Sequence, residues 1–302
     1  MQVEFKENFD ISGLTTFKIG GKVNKIYFPR NLDEFGYVVK KTPKPKVSGN
    51  LSNMLISSEG YDGVIISTSK LKNFYFTGDK LYSECGVKVP FLAQTMCDEG
   101  LSGIEFMIGF PGSVGGTVYM NASASGTAVA DVLDSAVLYS KSKGKFTLSN
   151  EEMQFGYRTS ICQKKPYIVL AATFNMRRKP VEKIMRTIEE NLIFRKNHHP
   201  LLKLPNAGSI FKNPKNNIAG RVIDEAGMKC ASVGGAQVWD RHANFIVNTG
   251  NATSLDVLEL MLKIYDAVYD KFKIKLVPEI EFLGGNNARE VEIWEILKKK
   301  RK

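Results

Sequence analysis

The sequence is poor in the residues that build cross-links and metal centres, with four cysteines and three histidines in 302 residues. Cys85, Cys97, Cys162 and Cys230 are scattered without C-x-x-C spacing, and His198, His199 and His242 form no ligand pattern with them. These absences argue against a disulfide framework and a structural zinc, and no metal is expected. Long apolar runs are missing too: nothing approaches the roughly 18 apolar residues of a membrane span. The opening Met1-Gln2-Val3-Glu4-Phe5-Lys6 lacks the basic-then-apolar pattern of a signal peptide. A cytoplasmic protein with no membrane partner is therefore expected. Internal repeats are absent, which removes solenoids. Neither G-x-G-x-x-G nor the Walker A pattern occurs, so a Rossmann or P-loop site finds no support.

What is present begins with length and charge. A chain of 302 residues, 43% hydrophobic, sits near the size at which one core divides into two, and two domains are expected. The formal charge of +11 favours anionic partners, but charge alone does not choose among nucleic acids, phosphates and carboxylates. Part of the excess lies in Lys298-Lys299-Lys300-Arg301-Lys302, which reads as a solvated tail. No RNA- or DNA-binding motif accompanies the charge, so a nucleic-acid partner is not expected.

Local patterns place the elements. Lys25 to Phe28 and Gly63 to Ile66 read as strands, with Pro43 and Pro45 marking a loop between them and a short helix near Leu32 to Lys40. Val89 to Gly100 has Pro at a helix start and Gly just past its end. Ser135 to Tyr139, Tyr167 to Phe174 and Phe245 to Val247 read as strands. Val181, Ile184, Met185, Ile188 and Leu192 recur at helical spacing, and the domain boundary is expected near that helix. A long helix opens at Thr253-Ser254-Leu255-Asp256, which fits a capping box. The fold class is α+β.

Two segments carry the chemistry. Gly49-Asn50-Leu51-Ser52-Asn53 comes after a strand, and successive amides in such a turn form a nest suited to a diphosphate, although an ordinary turn fits as well. Six glycines fall between residues 103 and 126, chiefly in Gly109-Phe110-Pro111-Gly112-Ser113-Val114-Gly115-Gly116-Thr117, with Asn121-Ala122-Ser123-Ala124-Ser125-Gly126 after it. Such density means tight turns or a close backbone approach to a nucleotide cofactor.

Together these segments resemble the flavin-binding loops of the vanillyl-alcohol-oxidase class. Within it, the chain is similar to the UDP-N-acetylenolpyruvoylglucosamine reductase family, in the branch lacking an inserted tyrosine loop. The resemblance rests on Thr15 to Gly21, Gly156-Tyr157-Arg158-Thr159-Ser160, Ala207-Gly208-Ser209-Ile210-Phe211-Lys212-Asn213-Pro214, Gly234-Gly235-Ala236, His242 to Asn248 and Pro278 to Gly284, in that order. It implies a two-lobed FAD-binding domain over residues 1–180, split near 75, a substrate-binding domain over 181–285 and a basic tail over 286–302. It further implies that NADPH reduces FAD, which then reduces the enolpyruvyl ether of UDP-N-acetylglucosamine enolpyruvate. A monomeric enzyme whose partners are these small molecules alone is expected.

Residue by residue, the resemblance makes Ser209 the proton donor. Arg158 becomes the fork that binds the substrate carboxylate, and Glu279 the carboxylate that polarises the enolate or carries a proton. Glu281 stays open as the alternative, because two residues on in a strand it faces the same side. FAD would be held by Gly49, Asn50, Ser52, Asn53, Gly112, Ser113, Gly115, Gly116, Asn121 and Gly126. Lys196, Asn213 and His242 are candidates for substrate contacts, with His199 beside them.

Several positions depart from the family pattern. Leu51 stands where a glycine is usual, Ser123 and Ser125 replace a glycine and a tyrosine, and Trp239 fills a place that is commonly small. A positive φ at Leu51 would cost on the order of 1 kcal/mol. An oxidase of the same flavin class remains a competing reading, although no histidine lies in a flavin loop. A member that keeps the fold without FAD is another, supported by Leu51. The segment after Gly285 is outside the resemblance, and Val291, Ile293, Trp294 and Leu297 are spaced for a short amphipathic helix.

Overall fold

The computed structural model describes residues 1–201 and 203–299. The chain divides into two compact units, one of residues 1–6, 26–50 and 64–195, the other of 7–25, 51–63 and 196–302. The expected functional division at residue 180 thus differs from the packing division. The helix Val181–His198 belongs largely to the first unit, and the segment after Asn50 belongs to the second.

The first unit is built on a five-stranded antiparallel sheet in the order Gly144–Ser149, Leu133–Ser140, Ile168–Asn175, Lys80–Glu84, Phe74–Thr77. Its core gathers Leu81, Leu92, Met96, Val114, Val118, Leu138, Ala172 and Phe174, all essentially without exposure. The helix Val89–Asp98 starts with Pro in its first turn and is succeeded by Gly100 at φ 67°, the asymmetry that favours a short capped helix. The helix Leu32–Lys41 is capped by Asn31, whose side chain accepts from the Glu34 N–H. In Val181–His198 only Ile184 and Ile188 are buried. Met185 and Leu192, expected in the same stripe, are 43% and 44% exposed, so the apolar face is one residue wide rather than a full stripe.

The second unit contains a four-stranded antiparallel sheet in the order Asn206–Ser209, Phe245–Asn248, Ala236–Val238, Ser232–Val233. The helix Ser254–Phe272 packs with it, and its capping box is formed as expected: Thr253 accepts from Asp256 N–H, while Asp256 accepts from Thr253 N–H. Leu258, Met261, Tyr265 and Val268 are buried along one face. The strand Met54–Ile56 pairs in parallel with Glu281–Leu283.

The C-terminal segment is a helix, Ala288–Lys299, with Ile293, Trp294 and Leu297 in the core of this unit. Glu290, on the same helix, is 1% exposed. It accepts from Ser57 Oγ at 2.6 Å and from Ser254 Oγ. The basic tail expected over 286–302 is therefore mostly a docked element, and Lys300, Arg301 and Lys302 lie outside the described residues. No described helix is long and apolar enough to cross a membrane.

Candidate active site

In the first unit, the strand Lys46–Ser48 pairs in parallel with the end of Tyr61–Ser67, and Gly49 and Asn50 come directly after it. A Cβ added at Gly49 would lie 2.2 Å from the Ser113 Oγ and 3.3 Å from the Ser113 Cβ, so any larger residue would have to displace the Ser113 hydroxyl. Ser113 is the N-cap residue of the helix Val114–Met120. Its hydroxyl is buried and has no hydrogen-bond partner among the described residues. A buried unsatisfied hydroxyl costs about 1–3 kcal/mol, which a ligand acceptor would recover.

The two glycine-bearing loops are tied together, because Asn50 Nδ2 donates to the Pro111 carbonyl. The Gly115 N–H donates to the Cys85 carbonyl at 2.9 Å. An added Cβ at Gly115 would meet Cys85 Cβ at 2.8 Å, so glycine is needed for this close approach. Burial pushes the Cys85 thiol up to about 12, which makes it a packing group and not a thiolate. Gly116 is exposed. Small residues, backbone and one unspent buried hydroxyl make a surface that fits a dinucleotide such as FAD.

Arg195, which the sequence patterns did not single out, packs from the helix Val181–His198 against this segment: a Cβ at Gly109 would come within 3.1 Å of its Cδ. Burial pushes its guanidinium pKa down. Only the fold reveals this, since Gly109 and Arg195 are far apart in sequence.

Asn121 is a left-handed residue, φ 45°, that ends the helix Val114–Met120. Its Nδ2 donates to the Gly156 carbonyl at 3.0 Å and its Oδ1 accepts from Ala130 N–H at 2.9 Å, so this side chain serves the protein's own loops. Ser125 and Gly126, at φ 51° and 80°, form the two-residue turn between Ser123–Ala124 and Thr127–Ala128. Positive φ at both positions is the type I′ pattern of tight hairpins.

Arg158 sits in a second tight turn, closed by reciprocal Gly156 and Thr159 backbone bonds of 3.1 and 3.2 Å. Its φ is 52°. Its Nη1 donates to Ser123 Oγ at 3.0 Å, and its guanidinium lies 5.6 Å from the Tyr157 ring centroid. Ser123, a departure from the family pattern, is thus one of the groups that orient this arginine.

In the second unit, Ser209 ends the strand Asn206–Ser209, whose pairing with Phe245–Asn248 is irregular between Asn206 and Ser209. Gly208, at φ 79°, supplies the bend. The Ser209 hydroxyl is half-buried and has no hydrogen-bond partner among the described residues. Asn244, which sequence reasoning did not single out as a site residue, clamps Ile210 and Phe211. Its backbone carbonyl accepts from Ile210 N–H at 2.9 Å. Its side chain exchanges bonds of 2.9 and 2.8 Å with the Phe211 backbone.

Glu279 joins this group, because its N–H donates to the Ile210 carbonyl at 2.7 Å. Glu281 does not share its strand. A bend at Ile280 separates Val277–Pro278, paired with Phe211–Lys212, from Glu281–Leu283, paired with Met54–Ile56. The expectation of one continuous strand presenting both acids on one side is therefore corrected. Asn53 Nδ2 donates to the Glu279 carbonyl at 3.1 Å, and the Asn53 carbonyl accepts from Glu281 N–H at 3.0 Å. Leu51, at φ 50° and 6% exposed, adopts the left-handed backbone that its departure from glycine made costly. Ser52, next to it, is half-buried.

The remaining candidates are more peripheral to Ser209. His242 Nδ1 accepts from Asn244 N–H at 3.2 Å. Its ring lies 4.9 Å from Phe245, edge to face, and burial pushes its pKa down, as for a packed neutral imidazole. The His199 ring lies tilted against the same Phe245, at 5.1 Å between centroids. Asn213 Oδ1 accepts from Ala219 N–H at 2.9 Å, closing the loop before the helix Ala219–Glu225. Lys196 is exposed. The fold therefore brings Ser209, Glu279 and Asn53 together in the second unit. It brings Gly49, Asn50 and Ser113 together in the first, where Arg158 is also joined to Ser123.

This geometry sits on a chain with clear relatives. Residues 25–147 match the model of an FAD binding domain, and residues 199–283 match that of the UDP-N-acetylenolpyruvoylglucosamine reductase C-terminal domain. The reductase of that name from Caldicellulosiruptor saccharolyticus is 40% identical over 291 residues, covering 94% of this chain and 93% of the relative. That of Bacillus subtilis is 39% identical over 285 residues, covering 92% and 94%. The crystal structure of the Thermus caldophilus reductase superposes with a TM-score of 0.81 at 32% identity, over 94% of this chain and 100% of that one.

Proposed function

We propose a division of labour among these residues from the premise that the chain belongs to the UDP-N-acetylenolpyruvoylglucosamine reductase family. It is a flavin-dependent oxidoreductase that reduces UDP-N-acetylglucosamine enolpyruvate to UDP-N-acetylmuramate in peptidoglycan synthesis, using FAD and NADPH. FAD, when bound, supplies the hydride relay between NADPH and the terminal enolpyruvyl carbon.

In our reading, residues 1–180 serve the cofactor and 181–285 the substrate. Gly49, Asn50, Gly112, Ser113, Gly115, Gly116, Asn121 and Gly126, with Ser52 and Asn53, present backbone and small polar groups to FAD. The orphan hydroxyl of Ser113 is its buried donor. The Nε of Arg158 is buried with no hydrogen-bond partner among the described residues, and the arginine fork binds the substrate carboxylate while negative charge develops on the adjoining carbon. Ser209 delivers the proton to that carbon. Glu279, whose backbone is bonded to Ile210, restores or steers the proton. Lys196, Asn213 and His242 face the nucleotide sugar. The enzyme works as a monomer in the cytoplasm.

The observation that supports the catalytic assignment is the 2.7 Å bond from the Glu279 N–H to the Ile210 carbonyl, which joins the backbone of the segment bearing Glu279 to that of the segment bearing Ser209. The test is Ser209→Ala, followed anaerobically. Reduction of the flavin by NADPH should proceed at the wild-type rate. Its reoxidation by the enolpyruvyl sugar should slow by about 10²- to 10⁴-fold, the usual worth of a general acid. An unchanged second half-reaction would remove Ser209 from the role.

A further inference from the structure

The proposed site leaves one end of the first unit unused. The helix Leu32–Lys41 ends at Thr42, whose carbonyl accepts from Lys141 Nζ at 2.6 Å. That bond sets Lys40, Lys41 and Lys44 beside the turn between the strands Leu133–Ser140 and Gly144–Ser149. The same turn and its exit carry Lys141, Lys143 and Lys145. Lys143 Nζ lies 5.2 Å from the Phe146 ring centroid and 5.6 Å from that of Tyr167, which adds the segment bearing Lys164 and Lys165. These lysines are all exposed, and none has a carboxylate partner among the described residues. Residues 36–48, 139–149 and 160–168 together hold nine lysines and no aspartate, glutamate or arginine.

We propose that this face docks the protein on an anionic phospholipid surface. Ammonium groups on flexible stems suit the diffuse charge of a headgroup layer, whereas a fixed phosphate would favour the planar fork of arginine. The two aromatic rings within the patch are engaged with each other, edge to face at 4.9 Å, and with Lys143. Both rings are also partly buried against the core of the first unit, which disfavours the open base stacking that single-stranded nucleic acid requires. Each lysine near a negatively charged leaflet strengthens association about fivefold. The attraction decays within a Debye length of about 8 Å at physiological ionic strength.

The test is cosedimentation of the FAD-loaded full chain with phosphatidylcholine vesicles, with or without one third phosphatidylglycerol. The protein should pellet only with the mixed vesicles and be released in about 1 M salt, where the Debye length is about 3 Å. The variant carrying Lys40→Glu, Lys143→Glu and Lys164→Glu should bind the mixed vesicles at least about a hundredfold more weakly. It should keep the flavin spectrum and turnover of the wild type. The proposal fails if no phosphatidylglycerol-dependent pelleting occurs, if neutral vesicles pellet the protein equally, or if the triple variant binds like the wild type. It also fails if homopolymeric RNA is bound while the mixed vesicles are not.

Discussion

Gly49→Ala puts the proposed flavin cradle to a quantitative test. The new Cβ would sit 2.2 Å from Ser113 Oγ, far inside the roughly 3.5 Å optimum of non-bonded contact. Overpacking of this kind costs about 1–3 kcal/mol, and the cheapest relief is to turn the Ser113 hydroxyl out of its buried position. Ser113→Ala removes the same hydroxyl directly. If it donates to a charged group of FAD, its loss costs about 1.5–3 kcal/mol, a factor of roughly 10 to 150 in affinity. In the double variant the Cβ introduced at position 49 meets the Cβ of position 113 at 3.3 Å, which a shift of a few tenths of an ångström relieves, and Thr68 Oγ1 at an ordinary 3.7 Å. The two losses are then one event. The double variant should bind FAD about as well as Ser113→Ala alone, with a coupling of about 1–3 kcal/mol. Quenching of flavin fluorescence on titration of the apoprotein gives the affinities. Calorimetry without FAD should show Ser113→Ala at or above the wild-type midpoint, because an unsatisfied buried hydroxyl has been removed. Additive losses, or a Gly49→Ala protein that binds FAD normally, would refute the reasoning.

Other expectations concern stability and reactivity. Leu51→Gly relieves on the order of 1 kcal/mol of left-handed strain but removes a buried leucine worth about 2–5 kcal/mol. Chemical denaturation should therefore show net destabilisation, and a stabilised variant would mean that strain outweighs burial. Glu290→Ala removes the acceptor of the Ser57 and Ser254 hydroxyls, which keep only their bonds to Glu59 N–H and to Ser58, and should cost about 1–3 kcal/mol, read as a lower thermal midpoint; an unchanged midpoint would contradict the docked C-terminal helix. Burial holds Cys85 near 12 and Cys162 near 11, so both stay protonated at neutral and mildly alkaline pH. A disulfide reagent should label Cys230, the exposed thiol among four, before unfolding, and rapid labelling of a second cysteine would overturn that ordering.

The features legible in the sequence were those encoded within a few residues. Pro90 and Gly100 delimit their helix because each restricts or frees its own backbone, and Thr253 with Asp256 caps the next because both partners lie within one turn. Contacts between distant segments were not legible. Nothing near Glu279 announces that its N–H meets Ile210 or that its carbonyl meets Asn53. The alternation of Glu279 and Glu281 suggested one strand, but each half finds a different partner strand, with a bend at Ile280 between them. Met185 and Leu192 fit the helical period yet stay exposed, since period alone does not set how wide a face its neighbours cover. Ser123 looked like a defect in a motif, and the fold makes it the acceptor for Arg158.

Relay of hydride from NADPH to an enolpyruvyl sugar through FAD is the chemistry on which every residue role above depends. Its most direct test is the visible spectrum of the purified protein, recorded without oxygen, first with NADPH and then with UDP-N-acetylglucosamine enolpyruvate. The flavin band should bleach with NADPH and return when the sugar is added. A protein that cannot be loaded with FAD, or a bleached flavin that the sugar leaves unchanged, would contradict the relay.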